Sequence, residues 1–145
     1  MSLSKIMSTD IVKIDIDDTL SEVKNIFSLV TFHHILVVDN EKLVGVISDR
    51  DYFKFTAPKL GTPIETERDT SALNIKVHRI MNRRLTTIKD NDTIFDAVCA
   101  FQKFKVTCVP VVDEDFKPVG IISWKDIINQ LALNMIKNRK NTQED

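Results

Sequence analysis

Apolar positions in this chain fall into short dense runs and spaced stripes, and the two kinds alternate in the same order twice. Ile11-Val12-Lys13-Ile14 reads as a short extended piece. Leu20, Val23, Phe27 and Val30 then recur at helical spacing, which predicts one buried face. Thr19 and Glu22 frame a capping-box pattern at the start of that helix, and Asp18 adds negative charge there. Ile35–Val38 and Leu43–Ile47 are rich in β-forming residues and are separated by Asp39-Asn40-Glu41-Lys42, a polar turn of hairpin length. Asp49 to Phe55 opens a second helix, punctuated by Pro58 and Gly61.

The order strand, helix, strand, strand, helix then recurs. Ile6, Met7, Ile14, Asp18, Thr19 and Phe27 lie over Ile80, Met81, Ile88, Asp92, Thr93 and Phe101 at a constant offset, and Val37-Val38-Asp39 lies over Val111-Val112-Asp113. One extra residue in the second turn lengthens the offset, so that Gly45-Val46-Ile47-Ser48-x-x-Asp51 lies over Gly120-Ile121-Ile122-Ser123-x-x-Asp126. Turns absorb such an insertion where strands cannot. In the second copy the capping pattern is Thr93-x-x-Asp96, and Ile94, Ala97, Val98 and Phe101 form the predicted helix face. The strands are Val109–Val112 and Val119–Ile122, with a helix from about Asp126 onward.

The expected organisation is a first repeat over residues 1–60, a linker with a short helix over 61–79, a second repeat over 80–136 and a polar tail over 137–145. The linker is polar from Ala57 to Arg68, and Asp69-Thr70-Ser71 is placed to cap a short helix through Val77. Each half is small enough to bury too little surface alone. The expected fold is therefore α/β (α+β), two βαββα repeats packed sheet to sheet about a pseudo-twofold axis.

Composition narrows the function classes. The 145 residues carry 43% apolar and 28% charged residues, ordinary for a globular protein. A formal charge of −1 gives no general attraction to nucleic acid or to anionic lipid, so neither is expected as a partner. No apolar run approaches the roughly 20 residues of a membrane span, and the N-terminal residues lack the apolar stretch of a signal peptide. Cys99 and Cys108 fit no disulfide framework or metal knuckle, which makes the cytoplasm the expected compartment.

Ile-Met at the head of each unit, a strand ending in Val-Val-Asp, and a Gly followed by two apolar residues and Ser-x-x-Asp resemble the cystathionine-β-synthase (CBS) domain. Two in tandem resemble a Bateman module, from roughly Lys5 to Leu131. The resemblance implies a non-catalytic regulatory sensor that binds AMP, ADP, ATP or S-adenosylmethionine in clefts between the repeats. It implies that Asp51 and Asp126 accept hydrogen bonds from ribose hydroxyls while Ser48 and Ser123 contact phosphate or ribose. Backbone near Ile11-Val12 and His34-Ile35, and near Leu85-Thr86 and Cys108-Val109-Pro110, would meet the adenine. The ligand is regulatory, and no catalytic cofactor and no metal is expected.

Ser and Asp at a helix start are also ordinary capping residues, so the pattern has a purely structural reading. The halves differ chemically. Arg50 in the first is suited to a bidentate grip on phosphate, and Leu36 stands where the family commonly has Pro, its counterpart being Pro110. In the second, Lys125 with Arg83 and Arg84 forms a possible positive rim for phosphates or a merely solvated surface.

His34 and Cys108 occupy equivalent positions, which raises a metal-site or Cys–His nucleophile reading. No third ligand or orienting acid has a defined spacing to them, and a packed Cys beside a partly exposed His is the preferred reading. Asp15, Asp17 and Asp18 lack the Gly and closing Glu of a calcium loop and are read as a polar turn. Apolar residues in the C-terminal helix, from Ile127 to Ile136, exceed one face. With Tyr52, Phe53 and Phe55 they suggest a homodimer. The alternatives to a sensor are a ligand-free dimerising scaffold and an enzyme using the His34/Cys108 neighbourhood.

Overall fold

Gly45 and Gly120 sit in the middle of apolar strands, where a missing side chain marks a close approach of other groups. The structure, a computed structural model that describes residues 2–29, 33–56 and 71–143, shows what approaches. A Cβ on Gly45 would run into the side chain of Met81, and one on Gly120 would lie 2.7 Å from Met7 Sδ and 2.9 Å from the Ser8 carbonyl oxygen. The Ile-Met segment that heads each sequence repeat is thus docked on the sheet of the other repeat. Ser8 exchanges two backbone hydrogen bonds with Ile121, each 2.9 Å, and Asn82 exchanges two with Val46.

The chain accordingly forms two compact units, Ile11–Leu85 and Met1–Asp10 with Thr86–Asp145. The first contains β1 (Lys13–Asp15), α1 (Leu20–Leu29), β2 (His34–Asp39), β3 (Lys42–Ser48) and α2 (Asp49–Phe55). The second contains β4 (Ile88–Lys89), α3 (Ile94–Phe104), β5 (Cys108–Val112), β6 (Pro118–Ser123) and α4 (Trp124–Gln143). Each has a three-stranded mixed sheet: β1 runs parallel to β2 and β2 antiparallel to β3, and the order β4-β5-β6 repeats this. The expected α/β fold of two βαββα repeats is what forms. Even the register irregularity recurs, between Val37 and Val38 and between Val111 and Val112.

The turns explain the one-residue insertion. Between β2 and β3 the chain reverses through Asn40 and Glu41, both with positive φ (49° and 66°), the twist that a two-residue hairpin turn requires. Between β5 and β6 the loop is longer: Asp113 accepts from the Lys117 N–H through Oδ1, and Phe116 carries the positive φ.

Each unit has its own core. Ile14, Leu20, Val23, Ile35, Val37, Ile47 and Tyr52 pack with Val77, Ile80 and Met81. Ile88, Ala97, Ala100, Val109, Val111, Ile122 and Ile127 pack with the wholly buried Leu3, beside half-buried Ile6 and Met7. A fully buried leucine contributes about 1.5–3 kcal/mol, so Leu3 anchors its segment substantially.

Several local expectations change. Val98 is exposed, because α3 turns Ala100 inward beside the expected Ala97. The capping box forms at Thr93/Asp96 but not at Thr19/Glu22, where the helix start is tied through Leu20 N–H to the Ile75 carbonyl. In place of a continuous helix leading to Val77 there are two single 3-10 turns, Ala72–Asn74 and Val77–Arg79. Ile75 and Lys76 between them are extended so that Ile75 O and Val77 N–H can pair with Leu20 and Asp18. Asp15, Asp17 and Asp18 form the expected polar turn, Asp15 Oδ1 accepting from the Asp17 N–H and Asp18 Oδ2 from the Asp15 N–H. Val30, Pro58, Gly61, Asp69, Thr70 and the 57–68 linker lie outside the described residues.

Candidate functional site

In the first unit, β3 runs directly into α2, and antiparallel pairing sets Ser48 opposite His34 at one end of the sheet. The Ser48 hydroxyl accepts from the Asp51 N–H at 3.1 Å, while Asp51 Oδ2 accepts from both the Ser48 N–H (3.0 Å) and its hydroxyl (2.9 Å). The Asp49 N–H donates to the His33 carbonyl, and His33 Nδ1 lies 2.9 Å from Asp49 Oδ2. That hydrogen bond holds the Asp49 carboxyl below its usual range. His34 is half-buried, and desolvation lowers its pKa, with Asp49 and Asp51 opposing and His33 adding to the effect. Arg50 is exposed, its backbone N–H bonded to Asp49 Oδ1.

The second unit repeats the plan with other side chains. Cys108 stands opposite Ser123, and Asp126 Oδ2 accepts from the Ser123 N–H at 2.7 Å and from its hydroxyl at 2.8 Å. The Trp124 N–H donates to the Thr107 carbonyl, as Asp49 does to His33. Burial pushes the Cys108 thiol up to about 11. Lys125 is exposed.

The same three bonds occur once more, at Thr93 and Asp96, where they only start a helix. Capping alone therefore accounts for Ser-x-x-Asp chemistry. In all three pairs the printed bonds from Ser or Thr end on Oδ2, and what distinguishes Asp51 and Asp126 is place: they are half-buried at the sheet end. Asp96 is exposed.

The lead-in to the parallel strand reaches the same sheet end. In the first unit the Leu36 N–H donates to the Val12 carbonyl at 2.9 Å, with Ile11 just before it. In the second, Pro110 stands in the place of Leu36 and has no N–H to give. Ile35 and Val109, the residues after His34 and Cys108, are wholly buried.

Sequence reasoning thus groups Ile11, Val12, His34, Ile35, Ser48, Arg50 and Asp51 in one unit. Thr86, Cys108, Val109, Pro110, Ser123, Lys125 and Asp126 fall in the other. Leu85, Arg83 and Arg84 belong to the unit of the first group rather than that of Lys125. There Arg83 Nη2 donates to the His78 carbonyl and the Arg84 N–H to Asn82 Oδ1. Sequence reasoning overlooked the His33–Asp49 pair, although His-His before a strand and Asp at a helix start are both visible in the chain.

His34 and Cys108 belong to different units. A raised thiol pKa also opposes a nucleophilic role, which needs the thiolate. Among the described residues no group of three or more His, Cys, Asp or Glu is placed to hold a metal ion. No described helix is long and apolar enough to cross a membrane. Cys99 and Cys108 are not in a disulfide.

Comparison with known proteins agrees with this architecture. The model of the CBS domain matches residues 3–57 and 77–133. The chain is 27% identical, over 90% of its length, to homoserine O-acetyltransferase of Methanococcus vannielii, and spans 25% of that protein's length. Among solved structures, CBSX2 in complex with AMP superposes with a TM-score of 0.72 at 20% identity, covering 92% of this chain and 97% of that one. The CBS domain pair of protein MJ0100, in complex with 5′-methylthioadenosine and S-adenosyl-L-methionine, gives 0.71 at 21% identity, covering 92% and 98%. At such identities the likeness is one of fold. With the family model matched over both repeats, the chain belongs to the CBS domain family and carries two such domains in tandem.

Proposed function

We propose that this CBS pair is a non-catalytic regulatory module that binds an adenosine-type ligand (AMP, ADP, ATP or S-adenosylmethionine) at the strand-to-helix junctions. The observation that carries the reading is the duplicated convergence, at one sheet end, of a half-buried Ser-x-x-Asp pair, joined through one carboxylate oxygen, with the opening of a parallel strand. A carboxylate accepting from two vicinal hydroxyls makes charge-assisted hydrogen bonds, which are stronger than neutral ones. Ser48 and Ser123, with Arg50 in one unit and Lys125 in the other, serve the phosphate or ribose; Arg83 and Arg84 are further phosphate contacts. Backbone near Ile11-Val12, His34-Ile35, Leu85-Thr86 and Cys108-Val109-Pro110 serves the base. Structural neighbours whose complexes hold AMP or S-adenosylmethionine support the ligand class.

The module acts by population shift: ligand stabilises one conformation that a regulated protein recognises. Thiols outside any disulfide fit a cytoplasmic setting. Exposed apolar side chains on α2 (Phe53, Phe55) and α4 (Trp124, Ile128, Leu131) fit a homodimer.

A thermal-shift panel of AMP, ADP, ATP and S-adenosylmethionine tests the reading. A ligand at 100 times its Kd stabilises by about 2.7 kcal/mol, enough for a shift of several degrees. The identical cap at Thr93/Asp96 favours a second reading, a ligand-free dimerising scaffold. A flat panel from a folded protein decides for the scaffold.

A further inference from the structure

The two strand-to-helix junctions share a backbone bond and differ in the side chains around it. In each unit the first residue of the second helix donates its N–H to the residue just before the hairpin, Asp49 to His33 and Trp124 to Thr107. Asp49 and His33 are also joined through their side chains at 2.9 Å, whereas neither Trp124 nor Thr107 can carry a charge. The next position differs in the same sense. His34 and Cys108 each stand opposite the junction serine, Ser48 or Ser123, and directly opposed residues of an antiparallel pair share one face of the sheet. An imidazole there gains positive charge within the range of about pH 5 to 8, and a thiol never does.

We propose that the first unit is a proton-linked site: it takes up a phosphate-bearing ligand together with a proton on His34, while the second unit binds its ligand without one. The inference rests on the function proposed above and adds its regulation by pH. The groups around His34 are few. From α2, Asp49 and Asp51 favour its charged form, and Arg50 is exposed; His33 beside it opposes that form. From β3 comes Ser48, and from the lead-in to β1 come Ile11 and Val12, none of them ionisable. Both carboxylates are already engaged, Asp49 by His33 and the Arg50 N–H, Asp51 by Ser48. Desolvation outweighs them and lowers the His34 pKa. A phosphate monoester adds about two negative charges near pH 7, and an anion close to an imidazole favours its charged form. His34 then has a higher pKa in the bound than in the free chain, so binding takes up a proton and tightens as pH falls through the ordinary histidine range. S-adenosylmethionine, with a cationic sulfur in place of phosphate, gains nothing from that proton. Acid therefore selects between the two ligand classes at the first unit alone.

Titration calorimetry of the full chain with 5′-AMP, run near pH 6.5 in Pipes and again in Bis-Tris, reads the protons exchanged, because the two buffers differ in heat of ionisation. Three forms are compared: unaltered, His34→Gln and His34→Cys, the last giving the first unit the residue that stands at the equivalent place in the second. The AMP phosphate itself titrates near about pH 6, but its share is common to all three forms and cancels in the difference. The unaltered chain is expected to take up about 0.3 proton or more per AMP beyond either variant. S-adenosylmethionine is expected to show no such difference. The excess over His34→Gln is expected to persist when both chains also carry Asp126→Asn, which weakens the second unit.

Equal proton exchange with AMP in the unaltered chain and in the folded variants overturns the inference and leaves the proposed function standing. An excess that disappears in the Asp126→Asn background does the same, since it places the linkage in the second unit. An equal excess with S-adenosylmethionine also overturns it, because the proton then does not answer to phosphate. Should either His34 variant lose its cooperative melt, the other decides alone. Absence of AMP binding overturns the inference whatever else binds, and a flat response to every adenosine ligand overturns the proposed function with it.

Discussion

Asp126 accepts both hydrogen bonds from Ser123, N–H and hydroxyl, through a single carboxylate oxygen, Oδ2. Its capping role and its proposed ligand role therefore use different atoms and can be separated. Asp126→Ala removes both and is expected to cost about 1 kcal/mol of stability, the usual loss of a helix-start cap. Asp126→Asn keeps an acceptor for Ser123 and removes the charge that strengthens a bond to ribose. Urea denaturation is expected to show Asn much nearer the unaltered protein than Ala. Titration calorimetry is expected to show both weakening the ligand at that unit by a similar factor.

The two histidines before β2 give the first unit an acid sensitivity that Thr107 and Cys108 cannot give the second. Burial holds the folded His34 pKa below its unfolded value, so the unfolded chain takes up a proton first as pH falls. His34 stability is thus complete above the ordinary histidine range, near 6.5, and is lost as pH drops through the lower folded value. Asp49 is likewise depressed, chiefly by its hydrogen bond with His33, and its smaller, solvent-screened share is lost only below the ordinary carboxylate range. His34→Gln is expected to flatten the stability curve just below pH 6.5, and His33→Ala to change that region much less, since burial is the main cause there, while altering the limb below about pH 4. Denaturation midpoints measured from pH 3 to 8 read both.

The duplication, the strand pairs and the hairpins were legible because each rests on local pattern: alternating β-formers, a turn of the right length, Ser-x-x-Asp at a helix start. The equivalence of His34 and Cys108 came from the offset alone, and the register opposite Ser48 and Ser123 agrees with it. The docking of Ile80-Met81 on the first sheet and Ile6-Met7 on the second was hidden, since an apolar pair carries no address. The available clue was Gly45 and Gly120, glycines inside strands where packing room is needed. Val98 was misplaced because Ile94, Val98 and Phe101 also form an acceptable helical stripe. Ala97 on the same stripe is buried as expected, and only packing shows that the small Ala100, rather than Val98, joins it.

The two cysteines are expected to differ in reactivity. Cys99 is exposed, whereas burial raises the Cys108 thiol to about 11. At pH 8 only about one Cys108 in a thousand would be thiolate at that value, the reactive form. Brief treatment with iodoacetamide at pH 8 is expected to label Cys99 and to spare Cys108 until the protein is denatured. Peptide mass spectrometry reads the outcome, and equal labelling of the native protein would contradict the burial of Cys108.

Gly120→Ala is expected to destabilise by about 1–3 kcal/mol, the usual cost of forcing atoms into a filled space. The added Cβ meets Met7 Sδ at 2.7 Å, which a flexible side chain relieves, and the Ser8 carbonyl oxygen at 2.9 Å, which it does not. Ser8 is held there by its paired bonds with Ile121. At Gly45 the three nearest atoms all belong to the Met81 side chain, so Gly45→Ala is expected to cost less. Met81→Ala should rescue Gly45→Ala in part, whereas Met7→Ala should do little for Gly120→Ala. Thermal melts of the four single and two double variants measure the difference.

The outward face of α4 bears on assembly. Trp124, Ile128, Leu131 and Met135 are each about half exposed or more, and their spacing of four, three and four residues draws one continuous stripe along the helix. The matching helix α2 is only seven residues long, with Phe53 and Phe55 exposed. A 20-residue helix extends about 30 Å, so the stripe is long enough to pair with its own copy across a twofold axis. Burying such a seam would drive association, and a charge at its centre would oppose it. Ile128→Asp with Leu131→Asp is expected to convert a dimer to a monomer while leaving the melt of each unit cooperative, because neither side chain contributes to a core. Light scattering coupled to size exclusion measures the mass. A monomeric mass for the unaltered chain across micromolar concentrations would exclude this helix as a dimer contact, and an unchanged dimer in the double variant would move the interface elsewhere.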